Sequence, residues 1–268
     1  MRDTASLTTI QRAGCIRAEH LDIGYGGDVV VRDINFELMP GQAIALVGTN
    51  GSGKSTLLKT LTGLLPPIGG RLSVFGTTPG AIPRRVAYLG QFHASGFVLP
   101  LRAIDVVWMG RFPQRGLLGK MTREDNGIVS AAMKAMGIEG LADSPLRSLS
   151  GGQQQRTYIA QVLAHRADLL LMDEPSSGLD AAGQELYLKA VDQELRRGAC
   201  IVIATHDIHE EAARAQEVIL LARRVVAIGP PQAVLSRDAI METFGITTEE
   251  SDRCAVIDEK ACRETQKH

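Results

Sequence analysis

The 268-residue sequence predicts an α/β fold built around a parallel sheet, and three observations carry that reading. Residues 43–47, 169–172 and 200–204 are short aliphatic runs bounded by turn chemistry, as strands buried on both faces are. Helical patterns lie between them, at residues 55–64 and 183–197. Each run also ends at a polar cluster, which places ligand chemistry at the carboxyl ends of the strands.

The remaining elements follow in chain order. Residues 16–21 and 29–38 alternate apolar and polar positions, the pattern of half-exposed antiparallel strands. From about residue 97 to residue 146 the strand signal disappears. Helical spacing takes over at 103–109 and 123–136, around a loop at 111–116, and this reads as a helical insertion. Two short strands are expected at 218–221 and 224–228, stopped by Gly229, Pro230 and Pro231. One or two short helices follow over 231–244, and the polar stretch 247–268 reads as a mobile tail.

Composition excludes several classes. Lys and Arg total 29 against 30 Asp and Glu, so the formal net charge is −1 and no basic surface for nucleic acid is expected. Apolar residues reach 44% but aromatic residues only 4%, so the core must be mostly aliphatic. No stretch approaches the run of about 18 apolar residues that spans a membrane, and the first 14 residues lack the apolar centre of a signal peptide. The four cysteines, Cys15, Cys200, Cys254 and Cys262, form no CxxC pair and read as thiols of a reducing compartment. Cys200 is expected as a small buried hydrophobe.

The strongest local motif is Gly48, Thr49, Asn50, Gly51, Ser52, Gly53, Lys54 and Ser55, running on through Thr56. It follows a predicted buried strand and opens a predicted helix, the context of a phosphate-binding P-loop. Glycines let backbone N–H groups curl around phosphate oxygens, and the helix N-terminus adds partial positive charge. Lys54 is expected to reach the β- and γ-phosphates, and the Ser55 hydroxyl to coordinate Mg²⁺. Further on, the run 169–172 delivers Asp173 and Glu174 to a strand end. Asp173 suits Mg²⁺ ligation, directly or through water, and Glu174 suits polarising an attacking water.

A third motif narrows the class. Leu149, Ser150, Gly151, Gly152 and Gln153 precede a helical run upstream of the acidic pair. Ser150 reads as an N-cap, and with the N–H groups of Gly151 and Gly152 it would also make a second phosphate cradle. This motif resembles the signature of ATP-binding-cassette (ABC) ATPases, and the resemblance covers roughly residues 16–244.

The resemblance implies a P-loop NTPase (RecA-like) core with an N-terminal antiparallel β-subdomain and an inserted helical subdomain. It divides the chain into an ATPase domain at 14–246, with the helical subdomain at about 97–160, and the tail at 247–268. It further implies that Tyr25 stacks on adenine and that Gln91 touches Mg²⁺. By the same resemblance Asp180 works across a dimer interface, and His206 contacts the γ-phosphate. Ser150 to Gln153 would then serve the ATP of a second copy in a head-to-tail dimer.

A single cassette without membrane spans implies separate transmembrane permease subunits, fed by an extracytoplasmic substrate-binding protein, with this chain on the cytoplasmic face of the membrane. The segment between Gln91 and Leu149 suits a compact helical subdomain and is far too short for a long coiled coil. Val106 to Pro113 and the helix start Thr122 to Asp125 are similar to importers of metal ions and metal chelates, and Leu221 to Gly245 is most similar to the manganese and zinc branch. These segments are expected to touch the permease or the second copy, never the metal. Importers of iron-siderophores or cobalamin, a soluble ABC ATPase without a transport role, and a nucleotide sensor without hydrolysis remain as alternatives. His165 reads as a surface or packing residue and His93 as surface loop; Cys254, Cys262 and His268 match no standard zinc spacing.

Overall fold

A computed structural model of the chain describes residues 14–91, 100–116 and 119–244. The expectations for the first residues, for His93, for the start of the insertion at residue 97, and for the tail with Cys254, Cys262 and His268 lie outside them.

The first described elements are β1 (Ile16–Tyr25) and β2 (Asp28–Leu38), an antiparallel pair. Gly26 and Gly27 join them at φ 58° and 102°, a turn conformation that L side chains rarely adopt. Next come β3 (Ala43–Val47), α1 (Lys54–Thr62), β4 (Gly69–Val74) and β5 (Val86–Leu89). Strand β4 adds antiparallel to the free side of β1, completing a three-stranded sheet in the order β2-β1-β4. Sequence patterning missed β4 and β5. The first is Gly-rich and mostly half-exposed, and the second has only four residues, too few for a period to show.

The helical segment holds α2 (Ala103–Met109), α3 (Phe112–Arg115), α4 (Arg123–Ala135) and α5 (Gly151–His165). The expected loop at 111–116 therefore contains a helical turn. Pro113 sits in its first turn, where a missing N–H breaks no hydrogen bond. The chain then returns through β6 (Leu169–Asp173), α6 (Ala181–Arg196), β7 (Cys200–Thr205), α7 (Glu211–Arg214), β8 (Glu217–Leu221), β9 (Val225–Gly229), α8 (Pro231–Val234) and α9 (Arg237–Phe244). The main sheet runs β5-β6-β7-β3-β8-β9, parallel except for the final β8-β9 pair. Its central strands β3, β6 and β7 are buried at every residue, as their unbroken apolar runs require.

Two apolar layers flank this sheet. One holds Ile44, Leu46, Leu57, Leu61, Leu171 and Val202 against the antiparallel sheet. The other holds Ala45, Val47, Val107, Ile159, Met172 and Tyr187 against the helices. Adjacent strand residues face opposite layers, which is why each strand is apolar throughout.

The helical segment is fastened by a buried ionic cluster. Asp125 is fully buried and accepts from Arg111 Nε at 2.9 Å, Arg115 Nε at 2.8 Å, and Thr122 N and Oγ1 at 2.9 and 2.7 Å. Arg111 also donates to the carbonyls of Ala164 and His165, tying the last turn of α5 to α4. Burial would raise the Asp125 pKa, but the Thr122 and arginine hydrogen bonds outweigh it and hold the carboxyl well below its usual range. The expectation that Arg111 and Asp125 face a partner is therefore corrected: both are interior fasteners, because a charge this deep needs its counter-charge beside it. His165 packs in the interior close by, and burial, then the Arg111 charge, depress its pKa.

The cysteine reading also changes. The sulfurs of Cys15, just before β1, and Cys200, at the start of β7, are joined as a disulfide with Cα atoms 6.7 Å apart. The partners are 185 residues apart, so linear spacing gave no sign of the pair.

Candidate functional site

Strand register assembles the site. Val47 pairs with Thr205 and Asp173 pairs with Ala204, so β3, β7 and β6 end side by side. The residues leaving those ends are Gly48, His206 and Glu174, three of the sequence-predicted groups brought to one edge of the sheet.

The P-loop leaves β3 at Gly48, where a Cβ would lie 2.1 Å from the Leu221 carbonyl oxygen. Only glycine fits there. Gly51 and Gly53 sit at φ 77° and 113°, and Gly53 opens α1 with no side-chain cap. The first-turn N–H groups of α1 are therefore left for an anion. Lys54 is 5% exposed, and its Nζ donates to the carbonyls of Gly48 at 2.6 Å and Thr49 at 3.1 Å, closing the loop from inside. Burial lowers the Lys54 pKa, opposed by the charges of Glu174 and Asp173. The Ser55 hydroxyl lies close to Asp173, whose pKa is raised by burial and by Glu174 against the pull of Ser55, Lys54 and Lys59.

Glu174 follows at φ 50°, a left-handed conformation that costs a glutamate energy and persists only where the surroundings enforce it. Its N–H donates to Ala204 O at 2.8 Å, locking the strained residue to β7. Tyr25 leans over α1 from the end of β1, accepting from Thr56 Oγ1 at 3.3 Å while the residue stays 44% exposed. Behind it Tyr88 on β5 has its hydroxyl pushed up to about 12 by burial, Asp173 and Tyr25.

Several of these groups surround a cavity of about 430 Å³, within the range of small-ligand sites, whereas Gly48, Tyr88 and Asp173 do not line it. Tyr25, Lys54, Ser55, Gln91 and Glu174 line it, along with Asn50, Gly51, Gly53 and Thr56. Sequence reasoning missed Val30 and Arg223 on the same wall. Arg223 was assigned to a partner-facing segment, yet its N–H donates to Ser52 O at 3.2 Å, so the β8-β9 turn rests on the P-loop. The positive φ of 57° at Arg223 marks that turn, but no local motif announced the contact. A larger cavity of about 520 Å³, between α4, α5 and α6, contains none of the predicted site residues.

The second cradle that the sequence predicts lies elsewhere. Ser150 caps α5 in a capping box, its Oγ accepting Gln153 N at 3.3 Å and Gln153 Oε1 accepting Ser150 N at 2.9 Å. Gly151 is exposed, and a Cβ on Gly152 would lie 2.9 Å from Gly178 O. Residues 150–153 therefore adjoin the loop leading to Asp180, not the cavity around Lys54. Asp180 caps α6 by accepting Gly183 N at 2.8 Å, and His206 is exposed beyond β7 without lining the cavity.

Among the described residues, no three His, Cys, Asp or Glu side chains gather as a metal site. No described helix is long and apolar enough to cross a membrane.

Residues 31–177, over half the chain, match the ABC transporter family. The chain is 31% identical to the manganese transport system ATP-binding protein MntB of Bacillus subtilis, over 86% of this chain and 92% of that protein. It is 33% identical to the zinc transport system ATP-binding protein TroB of Treponema pallidum, over 87% and 88%. The hemin import ATP-binding protein HmuV of Thermobifida fusca shares 35% identity over 87% and 82%. Among solved structures, a metal-chelate type ABC transporter in an inward-facing conformation superposes with a TM-score of 0.74 at 28% identity, covering 86% of this chain and 88% of that one.

Proposed function

This chain belongs to the ABC transporter family and is an ATP-hydrolysing importer subunit, and we propose that its cargo is a metal ion, manganese or zinc. The names of the similar manganese and zinc system subunits support that cargo. The hemin relative keeps a metal-chelate cargo as the second reading.

The observation that supports the mechanism is the separation of two helix starts, each suited to hold a phosphate, on one chain. Lys54 and the open start of α1 line the cavity, whereas Ser150 and Gly151 stand outside it. The second cradle then serves the ATP of another copy, and two chains close head to tail around two nucleotides. Tyr25 stacks on the base, the backbone from Gly48 to Thr56 wraps the phosphates, and Lys54 leaves the Gly48 and Thr49 carbonyls for phosphate oxygens. Ser55, Gln91 and Asp173 offer the hard oxygen donors that suit Mg²⁺ and would hold it; the ion neutralises phosphate charge when bound. Glu174, fixed by its strained backbone, orients and polarises the attacking water. His206 contacts the γ-phosphate side, and Asp180 reaches across the interface. Closure is passed to separate permease subunits at the cytoplasmic face of the membrane, with a binding protein supplying substrate on the far side.

Elemental analysis of cells lacking the gene, grown under manganese, zinc and iron limitation in turn, tests the cargo. A selective fall in manganese or zinc, restored by the intact gene but not by Glu174→Gln, is expected. A fall confined to chelate-supplied iron would transfer the assignment to the chelate branch.

A further inference from the structure

One buried carboxyl is used by nothing described so far. Glu211 opens α7 and is only 2% exposed. Both of its carboxylate oxygens are wholly buried, and neither makes a well-formed hydrogen bond. Three hydroxyls nevertheless face it closely enough to favour its charged form: Thr205, Ser176 and Tyr187. Tyr187, on α6, is fully buried, and its own hydroxyl likewise lacks a well-formed bond. A carboxyl in the interior with loosely met partners is costly, so its presence calls for a reason beyond packing.

The positions of those three hydroxyls supply one. Thr205 is the last residue of β7, directly before His206. Ser176 belongs to the loop between Glu174 and Asp180. Tyr187 stands on the helix that Asp180 caps. The carboxyl thus lies where the strand end carrying His206, the loop behind Glu174 and the shaft of α6 meet.

Neighbouring bonds run along the same seam. Asp207 accepts the N–H groups of His209 and Glu210 at 2.9 Å each and faces Gln184 Nε2 of α6 at 3.3 Å. Its own N–H donates to Thr205 Oγ1 at 2.9 Å. On the far side of the loop, Gln155 of α5 donates to Pro175 O at 2.8 Å.

We propose that Glu211, braced by Tyr187, is a positioning residue for ATP hydrolysis: it sets the loop from Glu174 to Asp180 and the strand end bearing His206 at one fixed spacing. It touches neither nucleotide nor water, and acts through Ser176 and Thr205. The inference rests on the ATPase reading above. Burial chiefly, with the Asp207 charge adding to it, raises the Glu211 pKa, and the three hydroxyls oppose that rise.

The test uses the full-length chain with Glu211→Met, Glu211→Gln and Tyr187→Phe. Methionine keeps the length and removes both acceptors, so the Thr205, Ser176 and Tyr187 hydroxyls lose the carboxylate they face and some stability is lost. Glu211→Met is expected to lower the thermal midpoint yet stay folded at the assay temperature and keep its affinity for ATP, while turnover falls at least tenfold. Hydrogen exchange should accelerate in residues 174–180 and 204–210. Glutamine retains a carbonyl acceptor and is expected to restore turnover to within about threefold. Tyr187→Phe keeps the ring and should slow turnover about threefold at unchanged ATP affinity, which holds the proposal open to refutation even if the methionine variant fails to fold. Parental turnover in folded Glu211→Met or Tyr187→Phe would overturn it, as would parallel losses of ATP binding and turnover. An inactive parent chain would instead sink the ATPase reading itself.

Discussion

Replacing Asp125 with alanine removes the anion to which two arginines and a helix start are fastened. Arg111 has a side chain only 7% exposed and cannot turn to water, so the variant leaves its charge buried beside two carbonyls. Breaking a buried pair from one side costs about 3–5 kcal/mol. Losing the carboxylate half of the Thr122 capping box adds roughly 0.5 kcal/mol or more. Against a typical total of about 5–15 kcal/mol, that is enough to loosen the helical segment before the sheet.

Trp108 is the single tryptophan and stands on α2, so its fluorescence reports this segment directly. In urea the fluorescence transition of Asp125→Ala should precede the circular-dichroism transition, whereas the parent's two curves should coincide more closely. Arg115→Ala should cost about 1 kcal/mol or less, because that side chain is 31% exposed and Arg111 remains to pair the carboxylate. The double variant with Arg111→Ala should show a coupling of about 1–3 kcal/mol. The Asp125 pKa is depressed in the fold, so its contribution is present above about pH 4 and is lost as pH falls toward the folded value. A loss below about 1 kcal/mol in Asp125→Ala at pH 7, or a loss that grows with acid, would refute this account.

The other predictions concern the site and its frame. Glu174→Gln should leave ATP affinity within about twofold, reduce phosphate release by at least about a hundredfold, and trap an ATP-bound dimer on size exclusion; rapid turnover would remove the assigned role. Lys54→Ala should weaken ATP binding by at least about tenfold in a titration with labelled nucleotide, since it deletes the cation that the P-loop surrounds. Gly110→Ala should destabilise by about 2 kcal/mol or more in the Trp108 assay, because a Cβ there would lie 2.2 Å from Gln161 O and force α2 from α5.

Local chemistry was legible where a function needs fixed residue types at short spacing. The stretch Gly48 to Thr56, the acid pair Asp173 and Glu174, and the Ser150 cap each occupy a few consecutive positions, and the structure sets each at the predicted strand end or helix start. The buried strands β3, β6 and β7 were legible for a related reason: a strand covered on both faces must be apolar throughout. Strand β4 was not, because a half-exposed, Gly-rich segment takes its pairing from β1 and carries no period of its own.

What the tertiary structure alone decided are the contacts between distant segments. Arg111 resembled a partner-facing residue until Asp125 and the end of α5 enclosed it. Arg223 joined the wall of the cavity around Lys54 only once the β8-β9 turn came to rest on Ser52. Cys15 met Cys200, and Glu211 met Ser176, Thr205 and Tyr187, across separations that no window of sequence spans. The sequence by itself determined which chemistry the chain carries, because backbone turns and side-chain donors are local properties. The fold determined which charges are buried together, because burial belongs to the packed whole.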